Sequence, residues 1–212
     1  ITNSFLNRYA TWVAKYLHKI FVTFLESATL PDDWRSANII PFHKSGSKFE
    51  LNNYRPVSLT STCKSMEHVI FKAIILHLEN NELLYSRQHG FRSGPSTVTQ
   101  LTELKDEIAT AINDGYQIDV IFLGFSKAFD IIPHEDLLTK LLAFGIDSKI
   151  ISWISSQLTK RTQRVKIGKH VSQQLKVYSG VPQGSVFAPI LFLMYINNIH
   201  FKVHGTTQMR LF

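Results

Sequence analysis

Residues 179–189 read Ser179-Gly180-Val181-Pro182-Gln183-Gly184-Ser185-Val186-Phe187-Ala188-Pro189 and run straight into the apolar stretch 190–196. The first half of that segment can be neither helix nor regular strand. Gly180 and Gly184 bracket a proline that locks φ and donates no hydrogen bond. Ser185 is a good N-cap, and a proline is tolerated in an opening helical turn, so the spacing predicts a helix starting near Ser185 with Pro189 in its first turn. A tight turn therefore presents Gln183 at the mouth of a buried helix. Such a turn is either a plain strand-to-helix connection or a loop whose backbone lets a ligand approach closely. The rest of the chain decides between them.

The chain has 212 residues, of which 44% are hydrophobic, enough for one good-sized domain or two small lobes around a real core. Its one cysteine, Cys63, excludes an internal disulfide. No apolar run reaches the roughly 18 residues that a membrane span requires, and no secretory leader opens the sequence. There is no initiating Met, and residues 208–212 break off in what reads as mid-strand, so a fragment is expected. The formal charge is +7, from 23 Lys and Arg against 16 Asp and Glu. Lys160, Arg161, Arg164, Lys166, Lys169 and Lys176 crowd a region with no acidic residue between Leu158 and Ile196. That density suits a polyanionic partner, although a solvated charged ribbon has the same composition.

Residues 9–27 carry a helical apolar period, and Leu30-Pro31-Asp32-Asp33-Trp34 ends it. Residues 37–42 read as a strand, and 43–48 as a basic turn. A helix is expected over about 61–80, a loop over 82–96, and a helix over 97–113 with Leu101, Leu104, Ile108 and Ala111 or Ile112 inward. Residues 117–123, Gln-Ile-Asp-Val-Ile-Phe-Leu, have the composition of an interior strand. Helices follow from Pro133 to about Phe144 and over about 148–158. Residues 163–167 and 174–178 alternate with period two around Gly168-Lys169, a hairpin pattern. Helices and strands mix without strict alternation, which predicts an α+β fold.

Four segments occur in order: Tyr54-Arg55-Pro56-Val57-Ser58-Leu59, Gln88-His89-Gly90-Phe91-Arg92, Phe125-Ser126-Lys127-Ala128-Phe129-Asp130, and Ser179-Gly180-Val181-Pro182-Gln183-Gly184-Ser185. Together they resemble the reverse transcriptase domain of non-LTR (LINE-type) retrotransposons, nearest the jockey-like group. The resemblance implies a right-hand polymerase fold over 30–212, with fingers at about 30–115, a partial palm at about 116–212, no thumb, and a helical lead-in over 1–29. It implies an RNA template, a DNA primer and dNTPs as partners, Mg2+ as cofactor, no membrane association, and a nuclear or cytoplasmic location. Lys44 and Arg55 would grip the triphosphate, one as a point charge and one as a planar fork. Phe129 would crowd the sugar 2′ position, or else serve simply as a core residue. Gln183 would lie against the templating pair, with Gly184 permitting close approach. Arg92 would touch the template strand or be a salt-bridged loop arginine. Lys160, Arg161, Arg164, Lys166 and Lys169 would contact nucleic acid.

One departure lies at the centre. Directly before the Phe-Ser-Lys-Ala-Phe-Asp segment the family carries an aspartate that binds both metal ions; here the position is Gly124. Glycine cannot replace a hard anionic ligand for magnesium. Asp119, five residues upstream, would be about 17 Å away along an extended strand, and Asp130 lies beyond the turn. The family's adjacent aspartate pair would follow Phe212, where the sequence stops. Phe187-Ala188 stand where the family usually has Leu-Gly, and Asn198 where it has Asp. The expectation is a catalytically dead polymerase segment; the alternatives are a non-catalytic template–primer binding module and a non-functional remnant. Ser58, His134 and Asp136 lack the Gly-x-Ser-x-Gly elbow of a triad hydrolase. His200 and His204 have the i, i+4 spacing of metal ligands without the accompanying Glu or a third ligand.

Overall fold

The computed structural model describes residues 3–59, 64–203 and 207–211. Helices α1 (Asn3–Arg8) and α2 (Ala10–Ser27) lead in, and α2 ends at Ala28 in the left-handed conformation. A one-turn helix, α3 (Asp32–Arg35), delivers the chain into strand β1 (Ser36–His43). Strand β2 (Tyr54–Leu59) pairs antiparallel with β1, and β3 (Thr162–Ile167) pairs parallel on its other side. Two short strands, β4 (His170–Val171) and β5 (Leu175–Lys176), return along β3 as the two halves of one interrupted hairpin arm. The sheet therefore crosses the expected fingers–palm boundary near residue 115: its third strand comes from the second half of the chain.

Five longer helices complete the fold: α4 (Lys64–Asn80), α5 (Thr97–Asn113), α6 (His134–Ala143), α7 (Ser148–Thr159) and α8 (Ala188–Ile196). Helix α4 points Met66, Ile70, Ile74 and Leu78 inward at four-residue spacing. They meet Leu137 and Leu141 of α6, Trp153, Ile154 and Leu158 of α7, and Ile190, Leu191, Leu193 and Met194 of α8 in one continuous core. Helix α8 is apolar on every side and is accordingly central. The mixture of helix and sheet is α+β, as the sequence implied. The expected beginning of α4 near Ser61 lies outside the described residues, as does His204. Among the described residues no helix is long and apolar enough to cross a membrane.

Two expectations need correction. Residues 117–123 form no strand: they carry no ladder, and Phe122 and Leu123 are 85% and 73% exposed. A strand buried on both faces needs a neighbour on each edge to satisfy its N–H and C=O groups. Among the described residues no strand pairs with it. Apolar composition alone could not supply one. Helix α5 forms where expected, with Leu104, Ile108 and Ala111 half-buried, but Leu101 and Ile112 face solvent and α5 buries no residue fully. What fixes α5 is a capping box, in which Ser96 and Thr99 exchange side-chain to backbone hydrogen bonds, and a set of ion pairs described below.

Candidate functional site

The turn that opened the sequence reading stitches three segments together. Gly180 has φ +81°, and a Cβ placed there would come within 2.6 Å of the Asp130 carbonyl oxygen. Gly184 has φ +108°, and a Cβ there would lie 2.8 Å from the Ser58 carbonyl oxygen. Only glycine fits either place. On one side the Gly180 and Val181 amides donate to Ile132 and Phe129 carbonyls at 2.8 and 2.7 Å, and the Ser179 hydroxyl donates to the Asp130 carbonyl at 3.0 Å. The buried His134 donates from Nε2 to the Gly180 carbonyl at 2.9 Å, since a carbonyl oxygen can only accept. On the other side the Ser58 amide, on the outer edge of β2, donates to the Gln183 carbonyl at 2.7 Å. The Ser185 hydroxyl oxygen then accepts from the Ala188 amide, the first of α8, at 3.0 Å, with Pro189 in the first turn. Pro189 lies in the first turn as expected, but the helix begins at Ala188 with Phe187, not Ser185, at its N-cap.

Sequence reasoning missed Glu67. It sits on α4 with no exposed surface, and its Oε2 accepts from the Val186 amide at 2.8 Å. Its Oε1 accepts from Gln157 Nε2 on α7, also at 2.8 Å. A buried carboxylate survives only where hydrogen bonds replace its water, and here they tie the turn to the core from below. The one signal in the sequence was a glutamate interrupting the inward period of α4, directly after Met66. Phe187 is buried against Trp153, ring centroids 5.5 Å apart, so the bulk it brings is packed into the core.

Around the turn the named residues take the following places. Gln183 is half-buried, and its Nε2 donates to Asp130 Oδ1 at 2.9 Å. Phe129 is half-buried between Phe91 and Phe192, at centroid distances of 6.3 and 4.7 Å. Phe91 and Lys127 have φ of +59° and +53°, so both the 88–92 loop and the 125–130 turn hold a non-glycine residue in the left-handed region. Arg92 is half-buried, donates from Nη1 to the Tyr85 carbonyl at 3.4 Å, and forms no salt bridge among the described residues. Arg55 is exposed on β2 opposite Phe42. The register sets Leu59, Asn38 and Arg164 in one row across the sheet, and alternation then puts Arg55, Arg164 and Lys166 on its outer face. Arg164 Nε donates to Asn38 Oδ1 at 2.8 Å. Lys160 and Lys169 are exposed, and so is Lys44, just beyond the end of β1. Arg161 departs from its expected surface position: it is 5% exposed where the chain enters β3 and the sheet, and its carbonyl accepts from Val177.

The 88–92 loop is held by a second cluster. The His89 amide donates to the Leu211 carbonyl at 2.9 Å, and the Leu211 amide donates to the Arg87 carbonyl at 3.2 Å. Arg210 reaches Glu103 and Glu107 of α5 at 2.7 and 2.6 Å, Arg87 reaches Glu107 at 3.2 Å, and His89 Nε2 lies 3.3 Å from Glu103. Hydrogen bonding to the Arg210 guanidinium holds both carboxyls below their ordinary value, and the Glu107 contact in turn raises Arg210.

Comparison with known proteins gives this geometry a setting. A family model described as reverse transcriptase (RNA-dependent DNA polymerase) matches residues 42–212. The chain belongs to the reverse transcriptase family. The probable RNA-directed DNA polymerase from transposon BS of Drosophila melanogaster is 30% identical over 182 residues, which cover 85% of this chain and 20% of that protein. The polymerase of the mobile element jockey from the same organism is 29% identical over 187 residues, 87% of this chain and 20% of that one. The probable polymerase from transposon X-element is 29% identical over 201 residues, 94% and 22% respectively. The chain thus spans about a fifth of the length of the relatives it matches.

Reverse transcriptases work with divalent cations, and the residues described here do not fit one. Gly124, at the position where an aspartate is expected, opens onto solvent, with nothing within 4 Å of a Cβ built on it. Asp119 accepts from Gln117 Nε2 at 3.2 Å, and Asp130 from Gln183. Among the described residues no three His, Cys, Asp or Glu side chains gather closely enough to share an ion.

Proposed function

We propose that this chain is the segment of a jockey-like non-LTR retrotransposon polymerase that holds RNA template, DNA primer and incoming dNTP, and that Gly124 leaves nucleotide addition disabled. The protein would act in the nucleus or cytoplasm, where such nucleic acids are found. The observation that carries this reading is the turn at 179–185, locked by backbone hydrogen bonds to both the 54–59 strand and the 125–130 turn. It brings the strand bearing Arg55, the turn bearing Phe129, and Gln183 to one place. These residues can orient a substrate without any metal. Arg55 offers a planar fork to phosphate oxygens, and Lys44 a mobile point charge on the same side of the sheet. Phe129 closes the floor, backed by Phe192. Gln183 is pre-positioned by Asp130, so that its backbone and the exposed, side-chain-free Gly184 can lie against a base pair. Arg164 and Lys166 continue the positive face away from the turn.

The test is binding of primed RNA, followed by fluorescence anisotropy between about 50 and 200 mM salt. Arg55→Ala and Lys166→Ala should each flatten the dependence of log affinity on log salt by about 0.7 to 0.9. Arg161→Ala, buried, should leave the slope unchanged. Wild-type slopes in both Arg55→Ala and Lys166→Ala would count against this face as the binding surface.

A further inference from the structure

Helices α1 and α2 set four aromatic rings in water. Phe5, Tyr9, Trp12 and Tyr16 are between 43% and 58% exposed. At 100° per residue they fall on one stripe about 60° wide. The bend at Tyr9 does not break it, because the Tyr9 amide donates to Phe5 at 3.0 Å and the Val13 amide to Tyr9 at 2.9 Å. The rings associate in pairs, Phe5 with Tyr9 at 4.9 Å and Trp12 with Tyr16 at 4.6 Å. The core does not need them: α2 already packs Phe21, Phe24 and Leu25 against the core, with Phe24 on Trp34. Along one edge of the stripe, about 50° to 90° from its middle, run Arg8, Lys15 and Lys19, with the Arg8 guanidinium 5.8 Å from the Tyr9 ring centre. Residues 3–25 contain no acid.

We infer that this stripe is a platform for single-stranded nucleic acid, the aromatic rings stacking on bases while the three cations follow the backbone. Exposed rings alone would suit many partners. A one-sided row of cations with no acid calls for a polyanion, and a polyanion that also offers flat π faces at close intervals is an unpaired strand. The stripe is about 16 Å long, room for a few nucleotides. Two of its four rings carry hydroxyls, which suits a wet partner better than a lipid surface. The inference rests on the polymerase reading only for the origin of the strand, the unpaired template beyond the primed duplex.

The experiment uses the whole chain and a labelled single-stranded RNA of roughly 12 nucleotides. Trp12→Ala should weaken binding about ten-fold with the salt slope unchanged, and Trp12→Phe should restore most of it. Lys15→Gln with Lys19→Gln should instead lower the slope by about 1.4, two charges at 0.7 each. All these positions are exposed, so the melting temperature should not move. Binding of primed duplex should survive Trp12→Ala; stripe-dependent RNA binding without any duplex binding would sink the polymerase reading and leave this one standing. Wild-type RNA affinity in both Trp12→Ala and Tyr16→Ala overturns the inference. So does tighter binding to phosphatidylserine vesicles than to RNA.

Discussion

The turn at 179–185 and the run at 116–125 are both short, and each holds a residue on which nucleotide addition would depend, Gln183 in one and Gly124 in the other. Their surroundings are opposite. The turn is bonded on two sides by backbone hydrogen bonds, closed from below by Glu67, and so crowded that a methyl group fits at neither glycine. The run has an apolar composition, yet Ile121, Phe122 and Leu123 face solvent and no ladder holds it. A turn is specified by local conformational chemistry and then secured by whatever packs on it. A strand is specified by its neighbours. The proposed binding surface is therefore built from parts bonded on two sides, and the proposed catalytic position sits on a run that no ladder holds.

Removing the bonds under the turn should have the largest effect. Glu67→Ala orphans the Val186 amide and the Gln157 side chain in the core and is expected to cost about 3 kcal/mol, read as a shift in the urea or thermal midpoint. Glu67→Gln, which keeps one acceptor, should cost less. Gly180→Ala comes next, at about 2 kcal/mol, from positive φ combined with collision against the Asp130 backbone. A cooperative transition in the unaltered chain is part of the same expectation; a remnant unable to fold would show none.

Smaller is the response to acid. Arg210 depresses the carboxyls of Glu103 and Glu107 in the folded state, so their contribution is present above the ordinary carboxyl value of 4.5 and fades as pH falls below it through the folded values. His89 faces Glu103 and Arg87 faces Glu107 in the same cluster. The protection of the Leu211 amide, relative to its intrinsic exchange rate at each pH, should fall over that range, and Arg210→Gln should remove most of that pH dependence. The smallest effects belong to the exposed run. Ile121→Lys should change stability by less than about 0.5 kcal/mol, whereas in an interior strand it would be severely disruptive. Gly124→Asp should be equally neutral, since its Cβ meets nothing.

The helices were legible in the sequence because their signals are local: the four-residue period of α4, Pro189 in the first turn of α8, Gly145 just past α6 at φ +72°. The hairpin after α7 was legible from its alternation, although its parallel pairing with β1 was not, since nothing in either strand encodes a partner more than a hundred residues away. Arg161 misled for the same reason. It belongs by composition to a basic ribbon, and only the entry of β3 into the sheet buries it. Leu101 and Ile112 misled because a helical period gives the face, and burial then depends on what lies opposite. Of the candidate site, the glycines and Gln183 could be read from conformational need; Glu67 and Asp130, which hold them, could not, because a carboxylate's partners are set only by folding.

The central claim is that the chain keeps a binding face whose catalytic position is empty of its ligand. It is tested most directly by placing the chain in the jockey polymerase, in exchange for the segment it matches, with either Gly124 or Gly124→Asp. Magnesium-dependent dNTP incorporation on primed RNA is then measured, with primed-RNA binding as control. Both forms should bind alike, and only Gly124→Asp should extend the primer above background. Equal extension by the two forms would contradict the account.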